Sequence, residues 1–168
     1  MISIESVMAE REKALEEFAA SEKLIRKYRN KMPAIVPKWD ASPASISFND
    51  IHQEIVSSGL SIYNCQMGEL WAGLDRPEFY ESNTLWSNNI HVRSKIAGVI
   101  DAWAQGTALS PIFLVKHGSL DKGLVSDGNH RLTVARAIGA SEVPLMVETA
   151  KAAWVSRAFP TAVCIHQA

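Results

Sequence analysis

The sequence predicts an α+β fold, a small mixed β-sheet with flanking helices preceded by a long N-terminal helix. Three observations carry that expectation. Residues 6–31 contain neither Gly nor Pro and are rich in Ala, Glu, Lys and Leu, all good helix formers. Three short apolar runs, at 112–115, 123–126 and 143–147, have the length of strands and are bounded by turn residues. Helical periodicity precedes and separates them, at 90–105 and 132–138.

Taken in order, the first helix places Val7, Ala14, Phe18, Ile25 and Tyr28 on one predicted apolar face. Acids crowd its start (Glu10, Glu12, Glu16, Glu17) and bases its end (Lys23, Arg26, Lys27, Arg29, Lys31), an order that complements the helix macrodipole. Pro33, Pro37 and Pro43 mark a connector. Residues 45–48 alternate polar and apolar as a short strand does, and 50–58 read as a short helix stopped by Gly59. Residues 60–89, with Trp71, Phe79, Tyr80 and Trp86 and turn signals at Gly73 and Arg76-Pro77, are expected to be a loop-rich insertion around short helices. Asn89 is suited to cap the helix at 90–105, whose apolar face is Val92, Ile96, Val99, Ile100 and Trp103, with Gly106 just beyond its end. Pro111 opens the strand at 112–115. The short turn at 117–122 favours a hairpin with 123–126, and the helix at 132–138, ended by Gly139, favours a parallel or mixed pairing with 143–147. Residues 150–158 read as a terminal helix. The expected organisation is a helix over 1–32 and one compact domain with it over 33–168.

Composition narrows the function. Apolar residues make up 47% of the 168, as in an ordinary globular protein. A net charge of −1 excludes strong attraction to nucleic acid by the molecule as a whole and leaves only a local patch, for which Lys23, Arg26, Lys27, Arg29 and Lys31 are the candidates. The two cysteines, Cys65 and Cys164, have no metal-ligand or CxxC spacing, as in a reduced protein. Residues 1–32 lack the apolar core of a signal peptide and no apolar run is long enough to span a bilayer, so a cytoplasmic protein without membrane insertion is expected.

The chemistry concentrates at Ser126-Asp127-Gly128-Asn129-His130-Arg131, between a predicted strand and a predicted helix. Open α/β sheets bind ligands at the carboxyl ends of strands. Gly128 lets the backbone approach a ligand closely. The N–H groups that follow open a helix and favour an anion. Arg131 presents a fork of donors matched to phosphate oxygens, and His130 can donate to phosphate or move a proton. Asp127 is the candidate ligand for Mg²⁺ or Mn²⁺, or can orient a nucleophile; Asn129 can donate and accept but cannot attack. Each has a plainer role open to it: a cap for Asp127, a turn for Asn129, a satisfied partly buried ring for His130, an ion pair for Arg131.

Pro111-Ile112-Phe113-Leu114-Val115, then Leu124-Val125-Ser126-Asp127-Gly128-Asn129-His130-Arg131-Leu132, then Ala135-Arg136-Ala137-Ile138-Gly139 and Val143-Pro144-Leu145 resemble the core of the ParB/sulfiredoxin superfamily in order and spacing. The resemblance covers residues 89–147. It implies nucleotide phosphates on Gly128, Asn129, His130 and Arg131, with Asp127 and His130 catalytic. Sulfiredoxin has a nucleophilic cysteine where this chain has Asn129, which argues against thiol chemistry. Too few residues follow Val147 for the helix-turn-helix domain of partition proteins. The pattern is most similar to the ParB-like ATPase and DNase domains, including the oncogenic suppression protein of conjugative plasmids. The function this implies is a phosphohydrolase acting on ATP or another NTP, on DNA, or on both, with Mg²⁺ or Mn²⁺, in plasmid DNA transfer or plasmid conflict, where the conjugation or DNA-transfer machinery is a candidate partner. Two alternatives stay open: a small-molecule kinase of the free serine kinase type, and a non-catalytic inhibitory binding module.

Other polar residues carry weaker signals. His91 and Arg93 open the predicted helix near the site. Asp75, Arg76 and Glu78 have a loop ion pair as the simpler reading, His52 and Glu54 are weaker still, and His117 is expected in solvent. Of the tryptophans, Trp103 and Trp154 are expected in the core, whereas Trp39 and Trp71 could also stack on bases.

Overall fold

The computed structural model describes residues 3–42 and 53–167. Helix α1 (Ile4–Asn30) is capped by Ser3, whose Oγ accepts the Ser6 N–H at 3.1 Å. A short α2 (Gln53–Ser57) ends at Gly59, which turns the chain at φ 96°. Strand β1 (Leu60–Gln66) runs into α3 (Met67–Gly73), and two 3-10 turns follow, Pro77–Tyr80 and Ser82–Thr84. Next come α4 (Arg93–Ala104), β2 (Ile112–Lys116), β3 (Gly123–Asp127), α5 (Asn129–Ala137) and β4 (Glu142–Glu148). A 3-10 stretch (Thr149–Trp154), the single turn α6 (Val155–Ala158) and β5 (Val163–Gln167) complete the order.

The five strands form one mixed sheet in the order β3-β2-β4-β1-β5. β2 and β3 are an antiparallel hairpin, and α5 returns the chain to β4, which lies parallel to β2 on its other side. β1 is antiparallel to both β4 and β5. Alternation along the strands divides the core. Val143, Leu145 and Val147 of β4, with Ile112 and Leu114 of β2, belong to the main core with Ile96, Ile100 and Trp103 of α4 and Leu132 of α5. Their neighbours Phe113 and Met146 join Leu60 and Ile62 in a smaller cluster. This architecture is the expected one, with the β2–β3 hairpin and the parallel β2–β4 pairing in place.

Several elements depart from expectation. Residues 60–66 are a strand inside the sheet, not part of a loop-rich insertion. Ser61, Asn64 and Gln66 dilute the apolar signal of β1, and its pairing on both edges supplies what local propensity lacks. β5 was not expected; its strand identity comes from pairing with β1. α4 begins at Arg93 rather than Ile90, and Asn89 does not cap it: the N-cap is Val92, in extended conformation and without a side-chain bond. The expected terminal helix is mostly 3-10. The first helix buries Ile25 and Tyr28 where it meets α4, but Val7 and Phe18 of its expected apolar face stand in water. The expected strand at 45–48, the start of the helix at 50–58, and His52 lie outside the described residues.

Aromatic placement follows the same packing logic. Trp103 and Trp154 are core residues as expected. Trp39 packs edge-on against Trp103 at 5.1 Å, and Trp103 Nε1 donates to the Lys38 carbonyl at 2.8 Å. Trp71 lies beneath the Arg136 guanidinium at 4.6 Å, so neither of the two open tryptophans faces the β3–α5 corner.

Candidate functional site

The polar cluster sits where β3 passes into α5. Gly128 makes the turn in the left-handed region at φ 92°, and a Cβ there would lie 2.9 Å from Ile112 Cγ2 and 3.1 Å from Ile112 Cα. Conformation and close approach to β2 therefore both demand glycine. Leu132 N–H donates to Gly128 O at 2.9 Å, which closes the first turn of α5. The N–H groups of Asn129, His130 and Arg131 precede that bond and have no acceptor within the helix. They form an anion-attracting end on a helix of nine residues.

The side chains around this end are braced. Arg131 Nη2 donates to Asp127 Oδ2 at 2.8 Å and to the Pro111 carbonyl at 3.3 Å, tying α5 to β3 and the start of β2. Arg131 Nε is buried without a hydrogen-bond partner among the described residues. Asn129 Oδ1 accepts the Tyr80 hydroxyl at 2.9 Å, which leaves its amide as a donor. His130 Nε2 accepts the Val92 N–H at 3.2 Å, so the neutral ring carries its proton on Nδ1. That bond also explains the extended Val92 and the late start of α4.

His91, 4% exposed, lies edge-on to His130 at 5.7 Å. Its Nε2 is 3.0 Å from the Phe79 carbonyl and within 3.3 Å of the hydroxyls of Thr84 and Thr133, while its Nδ1 has no partner among the described residues. Burial holds its pKa below the usual histidine value, with the Phe79 carbonyl opposing. Burial, then the charges of His91, Lys95 and Arg131, push His130 down to about 4, with Asp127 opposing. Burial, the larger cause, disfavours charge of either sign; the Lys95 and Arg131 charges that add to the depression are the part that also favours an anion. Burial first, then Asp75 and Glu78, push the Tyr80 hydroxyl up to about 12, so it remains a donor to Asn129.

Two clefts meet at His130. The larger, about 600 Å³, is walled by Phe79, Tyr80, Ile90, His91, Arg93 and Asn129 among others. The smaller, about 300 Å³, is walled by Lys95, Gly98, Asp127, Gly128 and Arg131 among others. Among the described residues Asp127 is the one carboxylate lining either cleft, and one of its oxygens is engaged by Arg131. Among the described residues no group of three His, Cys, Asp or Glu side chains could hold a metal ion. The donor set thus fits a divalent ion only as Mg²⁺ often binds, through one carboxylate with substrate phosphates supplying the rest.

The other candidates fall elsewhere. Lys27 of the basic run is 3.8 Å from Asp101, Lys23 and Arg26 line a separate groove on α1 itself, and none of the five bases walls the two clefts. Asp75 pairs with Arg76 at 3.6 Å and lies 3.3 Å from His117 Nδ1. Arg93 Nε donates to the Trp86 carbonyl at 3.0 Å at the edge of the larger cleft. Three contributors were not singled out in the sequence. Tyr80 and Thr133 carried no local signal, whereas Lys95 could have been found as the base on the α4 face that also carries the small Gly98. Comparison with known proteins gives no match: no protein-family model, curated protein or solved structure is significantly similar to this chain. Among the described residues no helix is long and apolar enough to cross a membrane.

Proposed function

We propose that the protein is a nucleotide-binding phosphohydrolase that seats the phosphates of a nucleoside triphosphate on the first turn of α5. One observation carries the reading: Asn129, His130 and Arg131, whose N–H groups have no acceptor within the helix, line two clefts that meet at His130, with Lys95 in the wall and the histidine held neutral by its surroundings. Phosphoryl transfer needs positioning and charge neutralisation more than covalent chemistry, and these are the groups that supply it. The likeness of residues 111–115 and 124–132 to the ParB/sulfiredoxin core supports the same placement.

In this reading the phosphates occupy the smaller cleft, against Gly128, Lys95 and Arg131, and the base and ribose occupy the larger one, against Phe79 and Ile90. Asp127 would hold Mg²⁺ or Mn²⁺ as its one protein ligand, and the ion would supply further charge neutralisation. A bound phosphate opposes the charges that depress His130 and lifts its pKa, so that the ring can hold a proton beside the transferred group. Asn129 orients through its amide and is no nucleophile. The clefts favour a mononucleotide over DNA, because the basic run of α1 contributes to neither wall. Nicking of plasmid DNA, and a role in plasmid transfer, rest on the family likeness alone.

The test is a thermal-shift series with ATP, CTP, GTP and UTP, each with and without Mg²⁺, alongside free serine and supercoiled plasmid, followed by phosphate-release assays on wild type and Asp127→Asn. A ligand at 100 times its Kd stabilises the native state by about 2.7 kcal/mol. The expected result is stabilisation by a nucleotide and metal-dependent phosphate release that Asp127→Asn loses. Stabilisation without release favours the binding-module alternative, and a response to serine favours the kinase. No response to any nucleotide overturns the reading.

A further inference from the structure

Among the described residues the N-terminal two-thirds of α1 packs against no other element, although its sequence is built for a partner. Ile4, Met8, Arg11, Leu15, Phe18, Glu22 and Ile25 recur at alternating spacings of four and three, the seam of a coiled coil. Ile25 closes the seam against the body of the protein and is 8% exposed. Further back the seam lies in water: Ile4 is 80% exposed, Met8 66%, Leu15 60% and Phe18 66%. Solvent-facing helices do not usually keep four large apolar residues in register along roughly 21 Å of axis from residue 4 to residue 18. The stripe is continuous with a buried contact and uncovered where the body ends.

Charge selects the occupant. Acids outnumber bases in the first half of α1 (Glu5, Glu10, Glu12, Glu16 and Glu17 against Arg11 and Lys13), and bases outnumber acids in the second (Lys23, Arg26, Lys27 and Arg29 against Glu22). A parallel copy would set like charges side by side. An antiparallel copy sets the acidic half of each helix along the basic half of the other. We propose that α1 pairs antiparallel with α1 of a second copy of this chain to form a two-fold dimer. With Leu15 against Phe18 of the second copy, the two charged seam positions fall opposite each other, Arg11 against Glu22, and Glu5 flanks Arg26. A two-fold axis satisfies each such contact twice and leaves no open end for further growth. The groove of about 400 Å³ lined by Phe18, Ala19, Glu22, Lys23 and Arg26 is then filled by the first half of the other helix. The pairing is independent of any ligand at the β3–α5 corner.

Sedimentation velocity on the full chain over a range of concentrations tests this. Wild type is expected to dimerise, and Leu15→Glu with Phe18→Glu to raise the dimer Kd by about 30-fold or more, the scale of losing a central interface residue. Both positions are outside the core, and the thermal transition of the domain reports that the fold is kept. Arg11→Glu and Glu22→Arg are each expected to weaken the dimer, and the two combined in one chain to restore it. Orientation is read by disulfide trapping in a Cys65→Ser, Cys164→Ser background. Arg11→Cys mixed with Glu22→Cys is expected to form the crosslinked heterodimer, and neither alone to crosslink. A monomer at all concentrations, a dimer indifferent to the Leu15 and Phe18 changes, or self-crosslinking of Arg11→Cys would each overturn the proposal.

Discussion

At the β3–α5 corner positive charge is held by burial and hydrogen bonds, whereas along the second half of α1 it rides on side chains in water. Arg131 is pinned to Asp127 at 2.8 Å and to the Pro111 carbonyl, the N–H groups of α5 cannot turn away, and His130 is kept neutral beside them. The bases of α1 are more numerous, but Lys27 already leans on Asp101 and Tyr28, and Lys23 and Arg26 belong to a separate groove on α1. Exposed charges are screened within about 8 Å at physiological salt and lose side-chain entropy on binding. Preorganised donors have already met that cost in folding. The difference teaches that the count of bases in a sequence is a poor guide to where positive charge is preorganised.

The largest expected effect separates the corner from an ordinary glycine. Gly128→Ala must place a side chain at φ 92° against Ile112, and should destabilise the fold by about 2–4 kcal/mol in urea titrations. Gly98 lies inside α4 with open space around it, and Gly98→Ala should be neutral or stabilising by up to about 1 kcal/mol. Similar costs at the two positions would remove the close approach at Gly128 from the account.

Next in size, Arg131→Ala should weaken nucleotide binding by about 1.5–3 kcal/mol in calorimetry, the scale of a charge-assisted contact. Replacing Lys23, Arg26 and Arg29 together with Gln should change nucleotide affinity by less than about 0.5 kcal/mol, as expected for exposed charges. If any DNA binding is present, that triple change should weaken it and flatten its salt dependence. Equal nucleotide losses in the two variants would erase the contrast between the regions.

Acid should sharpen it. His130 titrates near 6.5 when unfolded and at about 4 in the native protein, so between these values the unfolded chain binds the extra proton. Stability is therefore fully present above 6.5, falls as pH drops toward 4, and should lose about 2 kcal/mol from this residue, allowing for its partial exposure. His91, lowered in the same direction, adds to the loss. His130→Gln should remove most of this slope in chemical denaturation from pH 7 to pH 4, and an unchanged slope would contradict the depressed pKa.

The smallest effect concerns thiols. Burial first, then the Glu69 charge, push the Cys65 thiol up to about 12, and Cys164 is exposed at the far edge strand. The Cys65→Ser, Cys164→Ser protein should keep its turnover, provided it folds, and loss of turnover in the folded variant would restore a thiol mechanism.

Much of this was legible in sequence because it is local. Gly128 between a β-run and a helical run specifies its own turn, and the apolar runs at 112–115 and 143–147 declare buried strands whatever their partners. What was not legible is non-local. β1 reads poorly because Ser61, Asn64 and Gln66 make sense only against Thr149 and Glu142 on neighbouring segments. Tyr80 joins the site only because a 3-10 turn places its hydroxyl on Asn129, 49 residues on. The start of α4 was misplaced because Val92 gives its N–H to His130 instead of opening a helix at Asn89.

In the proposed function phosphate rests on the N–H groups that open α5. That placement is tested most directly by titrating a nucleoside triphosphate with Mg²⁺ into isotopically labelled protein and following the backbone amides by NMR. The expected result is that Gly128, Asn129, His130 and Arg131 shift most and saturate together, with Lys95 next and α1 silent. Shifts centred on Lys23, Arg26 and Arg29, or no shift at the β3–α5 corner at saturating nucleotide, would contradict it.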